Sequence, residues 1–213
     1  MTAVKNIVFD LGGVVMNIDF AKTEAAFAAL GFTGFQHYYT QFHASPLFED
    51  FETGKISVDD FTKGIRDHAG INLGDADIVR AWNALLLDFS PAVIRLLQKL
   101  KTRYRIFLLS NTNRLHYQAF QEILHAATGM FLEDIFERTY YSHDISLRKP
   151  GEAIYRKVVE ENGLIPAETL FIDDTADNLA GAELAGLQTF HLGKPMVLTD
   201  MPIFRAETAE ESC

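Results

Sequence analysis

Residues Lys5–Gly13 read KNIVFDLGG: an apolar run, Asn6-Ile7-Val8-Phe9, that stops at Asp10 and meets a glycine pair at Gly12 and Gly13. A short apolar run cut off by turn residues has the pattern of a strand buried on both faces. Four more such runs follow. They are Arg105–Leu109 (RIFLL), ending at Ser110-Asn111-Thr112; the weaker Arg138–Ser142; Thr169–Ile172 (TLFI), ending at Asp173-Asp174; and Gln188–Leu192. Helical segments fall between the later strands. Ser90-Pro91 is an N-cap and first-turn pair, followed by Val93, Ile94, Leu96, Leu97 and Leu100 at helical spacing. Pro150 is read as the start of a second helix, with Ile154, Tyr155, Val158 and Val159 on its inner face, and Asp177–Leu184 as a third. Strand and helix in alternation predict an α/β fold with a doubly wound parallel sheet.

Between about Asn17 and Asp88 the strand signals vanish, and helix-length stretches rich in Phe, Ala and Leu replace them. Ser57-Val58-Asp59-Asp60 has the form of a capping-box helix start, and Gly54 and Gly70 are expected to mark turns between helices. Roughly 70 residues are too many for a simple crossover. The expected organisation is therefore a core of residues 1–16 and 89–213, with residues 17–88 as a helical cap over the carboxyl edge of the sheet.

Composition narrows the function. A net charge of −10 without a basic run repels a polyphosphate backbone, so a small metabolite is the expected partner and nucleic acid is not. No apolar run approaches the roughly 20 residues needed to span a bilayer, and the first residues do not resemble a signal peptide. The single cysteine, Cys213, is the last residue, which leaves no internal disulfide or cysteine metal site. A cytoplasmic location is the default expectation; oligomeric state is left open.

Polar groups stand where the strands end: Asp10, Ser110 with Asn111, Lys149 in Arg148-Lys149-Pro150, and Asp173-Asp174. Taken singly, each has a bland reading, as a turn former, a helix cap or a solvated loop. Ligands of open parallel sheets bind at the carboxyl ends of the strands, so these groups converge if the first strand is central. Each then has a task in phosphoryl transfer. Asp10 can attack phosphorus. Its charge repels an incoming dianion, which calls for a cation between them. Asp174, with Asp173 behind it, can hold Mg²⁺ together with Asp10 and a backbone carbonyl. Ser110 and nearby backbone N–H groups can bind phosphate oxygens, and Lys149 can offset negative charge in the transition state.

The stretches FDLGGVV, LLSNTN, LRKP and FIDDTADN resemble the four ordered motifs of the haloacid dehalogenase-like superfamily, over about Lys5 to Leu192. The resemblance implies a Rossmann-like core with an inserted helical C1 cap. Within the superfamily, FDLGGVVMNIDF, FETGKIS, LSNTNRLH and DDTADN are most similar to bacterial sugar-phosphate phosphatases of the alpha-D-glucose-1-phosphate phosphatase kind. It implies Asp10 as nucleophile, Ser110, Asn111 and Lys149 as phosphate- or substrate-binding residues, and Mg²⁺ on Asp10, the Gly12 carbonyl and Asp174. Asp173 would support them from behind, and Asp177 would brace the motif loop. One departure stands out. Most phosphatases of the superfamily carry an acid two residues after the nucleophile, where this chain has Gly12. Ester hydrolysis survives that loss more easily than a mutase cycle, and an anomeric leaving group survives it more easily than a primary alkoxide. Hexose 1-phosphates are the expected substrates. The rival readings are a 2-haloacid dehalogenase, which needs no metal, and a catalytically weak phosphometabolite-binding protein. Phe48, Phe51, Trp82 and the histidines of residues 17–88 are candidates for specificity, though an aromatic residue here more often packs between cap helices.

Overall fold

The computed structural model describes residues 3–40 and 44–204; Cys213 lies outside them. Five strands, β1 (Asn6–Phe9), β2 (Arg105–Ser110), β3 (Arg138–Tyr141), β4 (Thr169–Asp173) and β5 (Gln188–His191), form one parallel sheet in the order β3-β2-β1-β4-β5. Ten α-helices accompany them among the described residues: α1 (Phe20–Ala29), α2 (Pro46–Glu52), α3 (Val58–Ala69), α4 (Asp75–Asn83), α5 (Pro91–Leu100), α6 (Arg114–Thr128), α7 (Leu132–Ile135), α8 (Ser142–Ile145), α9 (Glu152–Glu161) and α10 (Ala176–Leu184). Among the described residues, no helix is long and apolar enough to cross a membrane.

β1 is central, and alternation along it feeds two cores. Ile7 and Phe9 join Ile106, Leu108 and Ile172 on one face, under α5 and α6, while Val8 joins Phe107, Leu109 and Phe171 on the other, under α9 and α10. The chain winds from β1 outward through β2 to β3 and then returns to the far side of β1 for β4. That reversal puts the topological switch point at the carboxyl end of β1, where Asp10 follows.

Pro150 does not open a helix. It follows Lys149 across a cis peptide bond, and α9 begins only at Glu152, with Gly151 as N-cap. The cause is tertiary: the loop lies so close to α10 that a Cβ on Gly181 would be 2.1 Å from the Pro150 carbonyl oxygen.

Helices α1–α4 share a third core, built on aromatic rings. The capping box at Ser57 and Asp60 opens α3, and Gly70 closes it with φ +67°. Phe48, Phe51 and Trp82 are the fillers of this core, each with at most 2% of its surface exposed. Phe51 stacks on Phe61 at 4.1 Å, and Trp82 packs against Phe48 and Phe61. They are therefore packing residues. His37 and His68 bond to the carbonyls of Gly34 and Gly64, and His43 lies outside the described residues. The segments that lead into and out of these helices run side by side. Asn17 N–H donates to Asp88 O, Leu87 N–H to Asn17 O, and Asp19 N–H to Leu85 O, around an antiparallel bridge between Ile18 and Leu86.

A second seam joins α4 to α6. The His116 ring stacks on Trp82 at 4.6 Å, and its Nε2–H donates to the Trp82 carbonyl (3.1 Å) while Nδ1 accepts from the Asn113 amide (3.0 Å). Asn113 Oδ1 accepts from Trp82 Nε1 (3.2 Å) and from the His116 N–H (3.1 Å). This pattern requires a neutral imidazole. Burial pushes its pKa down to about 4, against the bond to the Trp82 carbonyl, which favours the charged form. Between pH 6.5 and 4 the unfolded chain takes up a proton here that the folded one refuses, so acid weakens the fold by up to about 3 kcal/mol from this residue. His116→Phe keeps the stacking and cannot charge. Its deficit relative to wild type, measured by urea unfolding, is expected to shrink as the pH falls from 6.5 to 4; a constant deficit would show that His116 is not held neutral.

Candidate active site

The carboxyl edge of the sheet and the helices above it enclose a cavity of about 290 Å³. Asp10, Gly12, Ser110, Asn111, Lys149 and Asp174 line it from the sheet side, and Tyr39, Thr40, Ala44, Glu49 and Glu52 from the helical side. The polar strand ends thus converge, drawn together by the register that sets Phe9 beside both Leu108 and Ile172.

Asp10 stays in line with β1 because its N–H donates to Ile172 O at 2.9 Å. The chain then turns at once: the N–H groups of Val15 and Met16 return to Leu11 O, and Gly13 adopts φ +78°. Only glycine fits at that point, since a Cβ there would lie 2.3 Å from Asp174 Oδ2. Lys149, 2% exposed, holds the floor together. Its ammonium donates to Asp10 Oδ1 at 2.6 Å and to Asp173 Oδ2 at 2.7 Å. Burial works against this charge, but the two carboxylates more than offset it and hold the ammonium above the usual lysine range. Asp10 is pushed up to about 7, by burial first and by Asp173 and Asp174, with Lys149 pulling the other way.

Asp173, fully buried, also accepts from the Thr175 N–H (2.8 Å) and from the Asn178 amide (3.0 Å to each oxygen). It stands behind the cavity wall, whereas Asp10 and Asp174 reach it. Oxygens of Asp10, Asp173 and Asp174 lie within 4.8 Å of one another, a donor set suited to a hard divalent cation. Asn178, which the sequence reading passed over, is the side chain that ties this loop to Asp173; Asp177 lines the cavity.

Asn111 was expected to bind substrate. Both atoms of its amide instead hold the Lys149 backbone, Nδ2 donating to Lys149 O and Oδ1 accepting from Lys149 N–H, each at 2.9 Å. It reaches the cavity as a brace for Lys149. At Gly12, the space an acid would fill is taken by Ile18, whose Cδ1 would lie 2.8 Å from a Cβ there.

The helical wall holds residues to which the sequence assigned no role. Tyr39 donates to Glu52 Oε1 at 3.0 Å, and Arg148 pairs with Glu49 (2.8 Å) and Glu52 (2.9 Å). Burial raises the Glu52 pKa, while Arg148 and the Tyr39 bond oppose the rise.

Comparison with known proteins agrees with this fold. The chain is 31% identical over 187 residues to the D-ribitol-5-phosphate phosphatase of Bacteroides thetaiotaomicron, covering 88% of this chain and 91% of the relative. Among solved structures it is similar to a HAD family enzyme from the same organism, crystallised as a point mutant with magnesium and inorganic phosphate (TM-score 0.87, 33% identity, 91% of this chain and 96% of that one). It is also similar to a HAD-like family hydrolase from Porphyromonas gingivalis (TM-score 0.85, 29% identity, 98% of each chain). The family model for haloacid dehalogenase-like hydrolases matches residues 4–186, and the chain belongs to that family.

Proposed function

We propose that this hydrolase is a magnesium-dependent phosphatase of small sugar or sugar-alcohol phosphates, with Asp10 as nucleophile. The observation that carries the reading is the floor of the cavity, where Asp10 lies beside Asp174 and within 2.6 Å of the buried Lys149. The relative that acts on D-ribitol 5-phosphate supports the substrate class. So does the cavity, small and lined mostly by polar groups.

In this reading, residues 17–88 form the cap domain. An Asp10 oxygen bonds to phosphorus as the bond to the sugar oxygen breaks, and the sugar oxygen leaves with the electron pair and takes its proton from water. Water then cleaves the aspartyl-phosphate, restoring Asp10 and releasing inorganic phosphate. Ser110 and Lys149 hold the phosphate oxygens; Lys149, kept charged by its carboxylate neighbours, balances charge as it builds up. Asp10, Asp174 and the Gly12 carbonyl would hold the magnesium, which lets a dianionic ester approach a carboxylate. Asp173 and Asn111 keep Lys149 in place. Asp10→Asn should retain the fold by circular dichroism and lose turnover; more than a few per cent of wild-type activity, in protein free of wild type, would remove the nucleophile assignment.

Chelation separates this reading from a dehalogenase, which attacks carbon without a metal. EDTA is expected to abolish phosphate release, and added Mg²⁺ to restore it. Asp174→Ala should raise the Mg²⁺ requirement more steeply than Asp173→Ala; the reverse order would exchange their roles.

Gly12 refines the substrate. General-acid help is worth about 10²–10⁴-fold, so its absence at this position weighs most on poor leaving groups. Hexose 1-phosphates should be cleaved faster than hexose 6-phosphates. Across aryl phosphates of similar size, kcat/KM is expected to climb steeply with leaving-group acidity. A flat series under single-turnover conditions would mean that another residue supplies the proton.

A further inference from the structure

The cavity has two chemically distinct sides, set by neighbouring residues of one loop. Lys149 faces the floor and its aspartates, whereas Arg148 pairs with the helical wall. There it meets two carboxylates of α2, with Nη1 2.8 Å from Glu49 Oε1 and Nη2 2.9 Å from Glu52 Oε2. Among the described residues, one guanidinium against two carboxylates gives the wall an excess of negative charge.

Its hydrogen bonding is also incomplete. Glu52 is 4% exposed, and its Oε2, though ion-paired with Arg148, takes no hydrogen bond among the described residues; the buried Arg148 Nε makes none either. The carboxylate within reach of a ligand is that of Glu49, half exposed and lining the cavity, and a ligand hydroxyl can donate to it. A second phosphate or a carboxylate on the ligand cannot donate to it and adds a like charge. Arg148 is poorly placed to welcome such a group. Turning toward it would leave Glu52 as an unpaired buried charge.

We propose that the wall formed by Glu49, Arg148 and Glu52 is a charge filter: it admits phosphomonoesters whose far end is uncharged and hydroxylated, and rejects those with a second anionic group. This rests on the reading of the cavity as a phosphatase site.

The test uses a matched pair of ligands of equal length, a pentitol 5-phosphate and the pentonic acid 5-phosphate that differs from it only by a carboxylate at carbon 1. Each competes with p-nitrophenyl phosphate turnover in wild type, Glu49→Gln and Glu52→Gln, with folding checked by circular dichroism. Wild type should favour the alcohol by more than about tenfold, and at least one variant should cut that ratio by about fivefold or more. Glu49 is half exposed, so Glu49→Gln carries the test even where loss of Glu52 disturbs the cap. A wild-type ratio near one, or a ratio unchanged in every folded variant, overturns the filter. Preference for the acid also overturns it and assigns Arg148 to anion binding. If neither compound competes, the wall does not recognise hydroxylated ends, and the proposal falls. Absence of aryl phosphate turnover in wild type would instead defeat the phosphatase reading beneath it.

Discussion

The site depends on one buried ammonium. Lys149 lies between Asp10 and Asp173 at hydrogen-bond distance from both, with almost no access to solvent. Three carboxylates crowd this corner, and without a cation among them burial would favour protonation of at least one. Much of the surrounding structure serves to keep the lysine in place. Asn111 grips its backbone from β2, and Asn178 and Thr175 fix Asp173, one of its two carboxylate partners. On the other side, glycine at position 181 lets the Pro150 loop lie directly against α10. Removing one partner from such a cluster is expected to cost several kcal/mol, because the rest stay buried and uncompensated.

The pair brings together residues 139 positions apart. Neither β1 with its turn nor the loop before α9 can form the site alone. The parallel topology supplies the link: β2 and β4 flank β1 in register, so every strand end arrives at one edge together. The floor is thus carried by the sheet, while the wall opposite comes from helices that reach it through paired connecting segments.

The sheet and the floor were legible in the sequence because their signals are local. Strands covered on both faces need near-continuous apolar runs, and Asn6–Phe9, Arg105–Leu109 and Thr169–Ile172 supply them. Ser110 and Asp173 extend two strands by one residue each; their backbones stay in the ladder although their side chains belong to the site. Other features depend on partners distant in sequence. Pro150 looked like a helix start until its carbonyl proved to lie against Gly181. Glu52 reads as an ordinary solvated helix residue, and only Arg148, 96 positions later, makes it a wall of the cavity. Asn111 sits where a substrate ligand belongs, and nothing in its neighbours reveals that its amide is engaged by Lys149.

The paired segments near Ile18 and Leu86 bear on how such a molecule can change over time. Because the chain leaves the sheet and returns to it at one place, whatever is threaded between those two points can be lengthened, shortened or exchanged without altering the order of the strands. The polar strand ends and the helical segment between Asn17 and Asp88 are thus joined through a single crossing, so a change in the length of that segment leaves the register that gathers the strand ends untouched.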